Sequence, residues 1–323
     1  MTNLDTKEFP ANPAALVSII TPAYREADNL PVLYQRLCRT LDAAGVAWEW
    51  LIVDDCSPDA TFAVLENLAG QDARIRGFRL SRNSGSHRAI LCGLHQALGD
   101  WMVVMASDLQ DPPEFLPILL AKRSDASDIV WAVRRHRIGE SLGDRFFSKL
   151  YYFVMRCVMG LKVMPSTGAD YFMINRKAVE ALKQFRECQN LFGLVAWMGF
   201  RQDSVLYDKQ ARLHGKSGWT LQKKMALVWD SISQFSDLPL QWIAGLGGLL
   251  IFAGCLGLFS GNPTLSFFML LTGIQLAALG VLGQYVWRIL EAARSRPLYL
   301  IEQTTSSVSI SSRQSLSPNA KTH

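Results

Sequence analysis

Between Asp237 and Arg288 the chain carries no Asp, Glu, Lys or Arg. Inside this window lie two apolar segments, about 239–259 and 265–287, each near the roughly 20 residues that a helix needs to cross a hydrocarbon core. The pattern predicts a membrane hairpin. Its turn, Ser260-Gly-Asn-Pro-Thr264, has no basic residue, whereas Lys223, Lys224, Arg288, Arg294 and Arg296 flank the outer ends. The positive-inside rule then puts both termini in the cytoplasm. Residues 1–13 are polar and lack the apolar core of a signal peptide, so the globular part is expected in the cytosol. Six cysteines show no CxxC or metal-ligand spacing and are expected as free, packed thiols.

The first half of the chain alternates between two periods. Val17–Pro22, Trp50–Asp54, Arg76–Leu80, Trp101–Ala106 and Ile129–Val133 are short runs, several almost continuously apolar, as strands covered on both faces must be. Helical patterns over Asp28–Ala44, Pro58–Ala69, Ser86–Leu98 and Pro112–Lys122 separate them, the second with Ser57 as its expected N-cap and Pro58 at its first position. This order predicts an α/β fold with a mostly parallel sheet covered by helices on both faces. In such sheets ligands sit at the carboxyl ends of the strands.

The residues just past each run suit a nucleotide. Asp54 and Asp55 follow the second strand and can accept from a base imide or a ribose hydroxyl. The loop Leu80-Ser-Arg-Asn83-Ser-Gly-Ser-His87 offers backbone amides and cations to phosphates. Asp108 and Gln110 follow the fourth strand. A carboxylate there would repel a diphosphate unless a hard divalent cation, Mg²⁺ or Mn²⁺, bridged the two. Asp111 directly precedes Pro112-Pro113 and is expected to start the next helix. There is no GxGxxG and no Walker lysine motif, which speaks against dinucleotide and P-loop readings.

Several segments resemble a family 2 glycosyltransferase of the polyisoprenyl-phosphate type, related to dolichol-phosphate mannose synthases and bacterial undecaprenyl-phosphate glycosyltransferases. They are TPAYREADNL (21–30), IVDDCSPDAT (52–61), LSRNSG (80–85), SDLQDPPE (107–114), the 134–137 basic cluster, GADYFMINR (168–176), LVAWMGFRQ (194–202), FSDLPL (235–240) and RPLYLIE (296–302). The resemblance implies a GT-A type nucleotide-sugar-binding core over residues 1–140 and an acceptor side with interfacial amphipathic helices over 141–237. Two transmembrane helices over 238–288 and a cytosolic segment with a disordered tail over 289–323 would complete the chain. It implies that Pro22, Tyr24, Glu26 and Asp55 contact the nucleoside, with Asp54 and Asn83 beside them. It makes Asp108 the metal ligand, Gln110 a neighbour of the diphosphate or sugar, and Arg134 and Arg145 the candidates for the acceptor phosphate. Arg135, Arg212, Lys216 and Ser217 extend that acceptor group. The chain departs from the family at Ala106, where an Asp is usual, and at Gly218, where a Lys is usual.

The acceptor chemistry follows independently. A phosphate monoester with a second pKa near 6 is largely dianionic at neutral pH, so it needs steering by cations more than a strong general base. Direct in-line attack would invert the anomeric centre. In Asp144–Gly160 the cations Arg145, Lys149 and Arg156 lie on one helical ridge among Phe, Tyr, Val and Met, as in a helix lying in the membrane interface. Residues 219–235 resemble a second such helix, and Arg212, Lys216, Lys223 and Lys224 suit anionic lipid headgroups. The net charge of +5 fits that surface, while no nucleic-acid recognition motif is present.

Together these readings predict an enzyme of the bacterial inner membrane that transfers one sugar from a nucleotide-sugar, UDP favoured over GDP, to polyisoprenyl phosphate. The resemblance leaves room for a homo-oligomer and for a flippase and a downstream glycosyltransferase as partners. Two alternatives stand beside it: a processive polysaccharide synthase, disfavoured by the lack of a QxxRW motif, and a catalytically silent relative that binds nucleotide or lipid.

Overall fold

The computed structural model describes residues 15–124, 126–135, 170–185, 188, 190–210 and 297–305, with isolated positions between 268 and 293. Eight strands form one sheet: β1 Val17–Ala23, β2 Trp48–Asp54, β3 Ile75–Leu80, β4 Trp101–Val104, β5 Ile129–Arg134, β6 Phe172–Asn175, β7 Gln202–Tyr207 and β8 Ile301–Thr304. Their spatial order is β7-β5-β6-β4-β1-β2-β3-β8. β1 to β4 are mutually parallel, β5 and β7 are parallel to each other, and β6 and β8 run antiparallel to their neighbours.

The mostly parallel α/β architecture is therefore as expected, with three strands, β6 to β8, that hydropathy did not single out. Three of the six residues of β7 are exposed and only Tyr207 is buried, and β8 is mainly exposed. Strands without a buried face lack the apolar run by which a central strand announces itself. β6 is buried except at its last residue, but it is only four residues long.

Side chains alternate across the sheet into two cores. On one face, Leu30, Leu33, Leu37 and Leu41 of α1 (Asn29–Ala43), Phe62 and Leu65 of α2 (Thr61–Gln71), and Leu116 and Leu119 of α4 (Leu116–Leu120) pack on Ile19, Trp50, Ile52 and Val103. The other face of the sheet, with Ile20, Val53, Phe78 and Met102, carries α3 (Ser86–Gln96), α5 (Arg176–Leu182) and α6 (Leu191–Trp197). The 3–4 spacing of the four α1 leucines is what puts them on one stripe. α3 comes so close to β1 that a Cβ on Gly93 would stand 2.5 Å from the Ile20 side chain, so only glycine fits there.

Two local expectations need correction. α2 begins at Thr61, not at Pro58, and Ser57 does not cap it. Asp59 accepts from the Thr61 backbone N–H at 3.2 Å, while the Ser57 hydroxyl accepts from the Arg25 N–H at 3.0 Å. Thus Ser57 joins the turns after β1 and β2, a long-range task that local spacing cannot reveal. Asp111 likewise does not cap the helical turn at Pro113–Phe115, whose N-cap is Pro112.

After the apolar window the chain returns to the core. Thr305 N–H donates to the Gly77 carbonyl and Gly77 N–H to the Thr305 hydroxyl, both at 3.0 Å, while Tyr299 meets His95 with 2.9 Å between hydroxyl and Nδ1. Burial, with Lys183 nearby, lowers the His95 pKa from 6.5 to about 4. The unfolded chain takes up a proton near pH 6.5 that the folded chain refuses until about pH 4. This contribution to stability is therefore present above pH 6.5 and lost as pH falls through that window. The expected loss is about 2 kcal/mol, allowing for partial exposure. Urea unfolding at pH 7 and pH 4.5 should show it in the native chain and not in His95→Gln; equal pH dependence in both would contradict it.

The expected hairpin falls for the most part outside the described residues. Among the described residues no helix is long and apolar enough to cross a membrane. The isolated positions described there are helical, and Phe268, Leu279, Leu282, Val286 and Ile289 expose their apolar side chains. Both expected interfacial helices, 144–160 and 219–235, lie outside the described residues. Cys38, Cys56, Cys92 and Cys188 are free thiols, and burial pushes Cys92 and Cys188 up to about 12. Cys92 and Cys188 sit in the core as small hydrophobes, as expected, while Cys38 and Cys56 are half-buried.

Candidate active site

β1 connects through α1 to β2 on one side, while α3 carries the chain back to β4 on the other, so strand order reverses at β1. A crevice outside the carboxyl ends of β1 and β4 follows from this reversal. The strand ends are tied to one another there. Asp55 N–H donates to the Ala23 carbonyl at 2.9 Å, and the Ser107 hydroxyl to the Pro22 carbonyl at 3.0 Å. Three non-glycine residues in left-handed backbone occupy the turns after β1, β2 and β4: Arg25 (φ 62°), Cys56 (φ 57°) and Leu109 (φ 61°). Such residues cost of order 1–3 kcal/mol each and concentrate where a chain must aim side chains at a ligand. Leu109 is fully buried, which anchors the turn carrying Asp108 and Gln110.

The two aspartates after β2 divide their tasks. Asp54 is fully buried; Oδ1 accepts from the Ser57 N–H at 3.0 Å and Oδ2 stands 3.6 Å from Arg79. Arg79 in turn donates to the Ser57 carbonyl. Asp54 therefore holds the turn, whereas the nucleoside contact expected of it would need an accessible oxygen. Asp55 accepts from the Ser84 and Gly85 backbone N–H groups at 2.7 and 2.8 Å. Burial raises its pKa in spite of those bonds. It thereby folds the 80–86 loop, Asn83 included, against the end of β2. Asn83 and Tyr24 are exposed, Pro22 and Glu26 partly so, and Arg25 lies 5.5 Å over the Tyr24 ring. Glu26 is fixed through its N–H to Thr61 and by accepting from Asn29 at 2.6 Å.

Past β4, Asp108 is half-buried and accepts from the Gln110 N–H at 3.2 Å. Behind it sits a cluster that sequence reasoning missed. Asp111, fully buried, accepts from the Tyr207 hydroxyl at 2.7 Å and from the Ala106 N–H at 3.3 Å, and lies 3.4 Å from the Lys209 ammonium. Lys209 also reaches Asp170 at 3.1 Å, and Asp170 accepts from Arg134 at 2.6 and 2.8 Å. Burial works against the Lys209 charge, but Asp111 and Asp170 offset this, and the ammonium is held above its ordinary pKa. Burial opposes the Asp170 charge too, and Lys209 with Arg134 overcome it, so this carboxylate stays ionised well below the usual range.

Arg134, expected beside an acceptor phosphate, is thus turned to Asp170, and Arg135 lies 3.6 Å from Asp208 at the surface. Arg145, Arg212, Lys216 and Ser217 lie outside the described residues. The signal for Lys209 was weak: a lysine just beyond Val205 and Tyr207, where apolar alternation stops. What places it is the pairing of β7 beside β5, which no local pattern states.

The chemistry of Asp108 fits a hard divalent cation that shares its oxygens with a diphosphate, since Mg²⁺ is commonly held by one or two carboxylates plus substrate phosphates. Among the described residues no group of three His, Cys, Asp or Glu side chains could hold a metal unaided.

Comparison with known proteins gives the family. Residues 18–183 match the family model described as glycosyl transferase family 2. An uncharacterized glycosyltransferase of Synechocystis sp. is 36% identical over 300 residues, 88% of this chain and 94% of that protein. The uncharacterized glycosyltransferase YkcC of Bacillus subtilis is 33% identical, over 89% and 93% of the two chains. An undecaprenyl-phosphate 4-deoxy-4-formamido-L-arabinose transferase of Shewanella sediminis is 30% identical, over 88% and 91%. With residues 18–183 matching the family model and such enzymes covering 88% or more of its length, this chain is a glycosyltransferase and belongs to glycosyl transferase family 2.

Proposed function

We propose that the enzyme transfers one sugar from a nucleotide-diphosphate sugar, UDP-linked in preference to GDP-linked, to polyisoprenyl phosphate at the cytosolic membrane face, with inversion. One observation carries the lipid acceptor: the likeness to the Shewanella transferase spans nearly the whole of both chains, so it includes the acceptor side and the apolar window as well as the nucleotide half. The exposed apolar side chains at Phe268, Leu279, Leu282, Val286 and Ile289 support an anchor in lipid, since water disfavours so many together.

In this reading the exposed Tyr24 and the 80–86 loop border the nucleoside, and the loop amides turned away from Asp55 are available to the donor. Asp108 would hold Mg²⁺ or Mn²⁺, which supplies charge neutralisation for the departing diphosphate. Gln110, on the same turn, offers an amide to the sugar or diphosphate. The lipid phosphate arrives largely ionised, so the chain's task is to place it and to exclude water.

Full-length protein in detergent, given radiolabelled UDP- and GDP-sugars with undecaprenyl phosphate and Mg²⁺, should yield a chloroform-soluble lipid bearing a single sugar. Long polymer would instead indicate a processive synthase. Nucleotide binding without turnover would indicate a silent relative. Either result would overturn the proposal.

A further inference from the structure

The Lys209 ammonium is fixed in place. Its backbone neighbour Gln210 donates its N–H to the Gln110 carbonyl at 2.8 Å, and the Gln210 side chain accepts from Arg36 at 3.1 Å. Arg36 in turn grips Glu114 through two bonds of 2.9 and 2.6 Å. Two residues earlier in the chain, the Tyr207 hydroxyl donates to Asp111. The segment 207–210 is thus stitched along the turn that carries Asp108 and Gln110. The lysine side chain, only 12% exposed, cannot swing out to solvent without leaving both Asp111 and Asp170. Through Gln210 and Asp111 the lysine is thus held beside the turn that carries Asp108. At position 106, two residues before Asp108, an alanine adds no oxygen to the site.

We propose that Lys209 is a built-in cation beside the Asp108 turn, and that it makes divalent-cation binding there conditional on a bound nucleoside diphosphate. This rests on the nucleotide-sugar reading of the same site. A fixed ammonium beside that turn lowers the negative potential that a bare Mg²⁺ or Mn²⁺ would meet. The diphosphate brings its own negative charge and restores the attraction. One unit charge acting on a divalent ion across about 6 Å changes affinity by about tenfold even with the full screening of bulk water, and by more at the lower dielectric of a protein surface. Metal and donor then enter together, so a nucleotide-free enzyme does not hold an idle ion. Lys209 acts here through the field at Asp108 and is a positioning residue, with no contact to the reacting atoms implied.

The test is Mn²⁺ binding to the full-length protein in detergent, read from the spin-resonance signal of free Mn²⁺, with and without UDP. Wild type should bind Mn²⁺ weakly alone and at least about tenfold more tightly with UDP. Lys209→Met should bind Mn²⁺ about tenfold more tightly without nucleotide, whereas Lys209→Arg should match wild type. A lysine with a merely structural role would not raise metal affinity when removed. Unchanged or weaker Mn²⁺ binding by folded Lys209→Met overturns the proposal. Should that variant fail to fold, Lys209→Gln decides: it removes the charge but keeps a donor for Asp111 and Asp170, and should tighten nucleotide-free Mn²⁺ binding by a similar factor, unchanged affinity counting against the idea. Failure of UDP and GDP to bind any variant would sink the nucleotide reading, while the Mn²⁺-only comparison would still judge Lys209.

Discussion

Replacing Asp108 by Asn is expected to abolish sugar transfer while leaving the protein folded. The substitution keeps shape and keeps an oxygen to accept the Gln110 N–H, so the turn built on buried Leu109 should survive. It removes the charge with which the turn would hold a divalent cation against the donor diphosphate. Loss of one preorganised electrostatic contact to a developing charge usually costs about 10²–10³ in kcat, and loss of a metal can cost more. Turnover should therefore fall by at least about 10²-fold, while the melting temperature moves by no more than a few degrees. Transfer rates with saturating Mg²⁺, set beside thermal melts of both proteins, provide the measurement. Unchanged turnover would remove the metal role from Asp108.

Asp111→Ala should give the opposite outcome, a protein that melts early. A carboxylate that merely capped a helix would cost about 1 kcal/mol when removed. Here the side chain is fully buried, accepts from the Tyr207 hydroxyl and the Ala106 N–H, and faces Lys209. Its removal leaves a buried phenol and a largely buried ammonium without one of their partners. Breaking a buried pair from one side costs about 3–5 kcal/mol, so the melting temperature should fall by roughly 10 °C. Asp111→Asn, which still accepts from Tyr207, should recover part of the loss. A fall of only a degree or two in Asp111→Ala would restore the capping role and would loosen the link between 207–210 and the Asp108 turn.

These two neighbours show where reading the sequence works. The place of Asp108 in a turn past a strand end was legible from the apolar run before it: a parallel strand ends in a polar turn, and the ends of parallel strands are where ligands meet an α/β sheet. The positions of Asp54 and Asp55 at the end of the second run were legible for the same reason. Their tasks were not: both side chains are buried, Asp54 holding the Ser57 turn and Asp55 the Ser84 and Gly85 amides, so neither presents the free oxygen expected at a nucleoside, and such loop contacts leave no local pattern. Asp111 was misread since a carboxylate before two prolines looks the same whether it caps a helix or faces a lysine nearly a hundred residues away. Arg134 was placed by its neighbours in a basic cluster, yet its guanidinium is turned to Asp170, a residue brought beside it by β5 and β6.

Sequence alone determined the parallel core, the two-sided helical cover, the carboxylates at the strand ends and the expectation of an apolar anchor. All of these follow from local periodicity, because burial on one or two faces imprints a repeat of 2 or 3.6 on hydropathy. Only the tertiary structure decided the partners: β6 and β7 joining β5 at one side of the sheet, β8 returning to β3, and Lys209 arriving between Asp111 and Asp170. Charge pairs of this kind depend on distance in space, and nothing along the chain records which distant segments will come within 4 Å of each other.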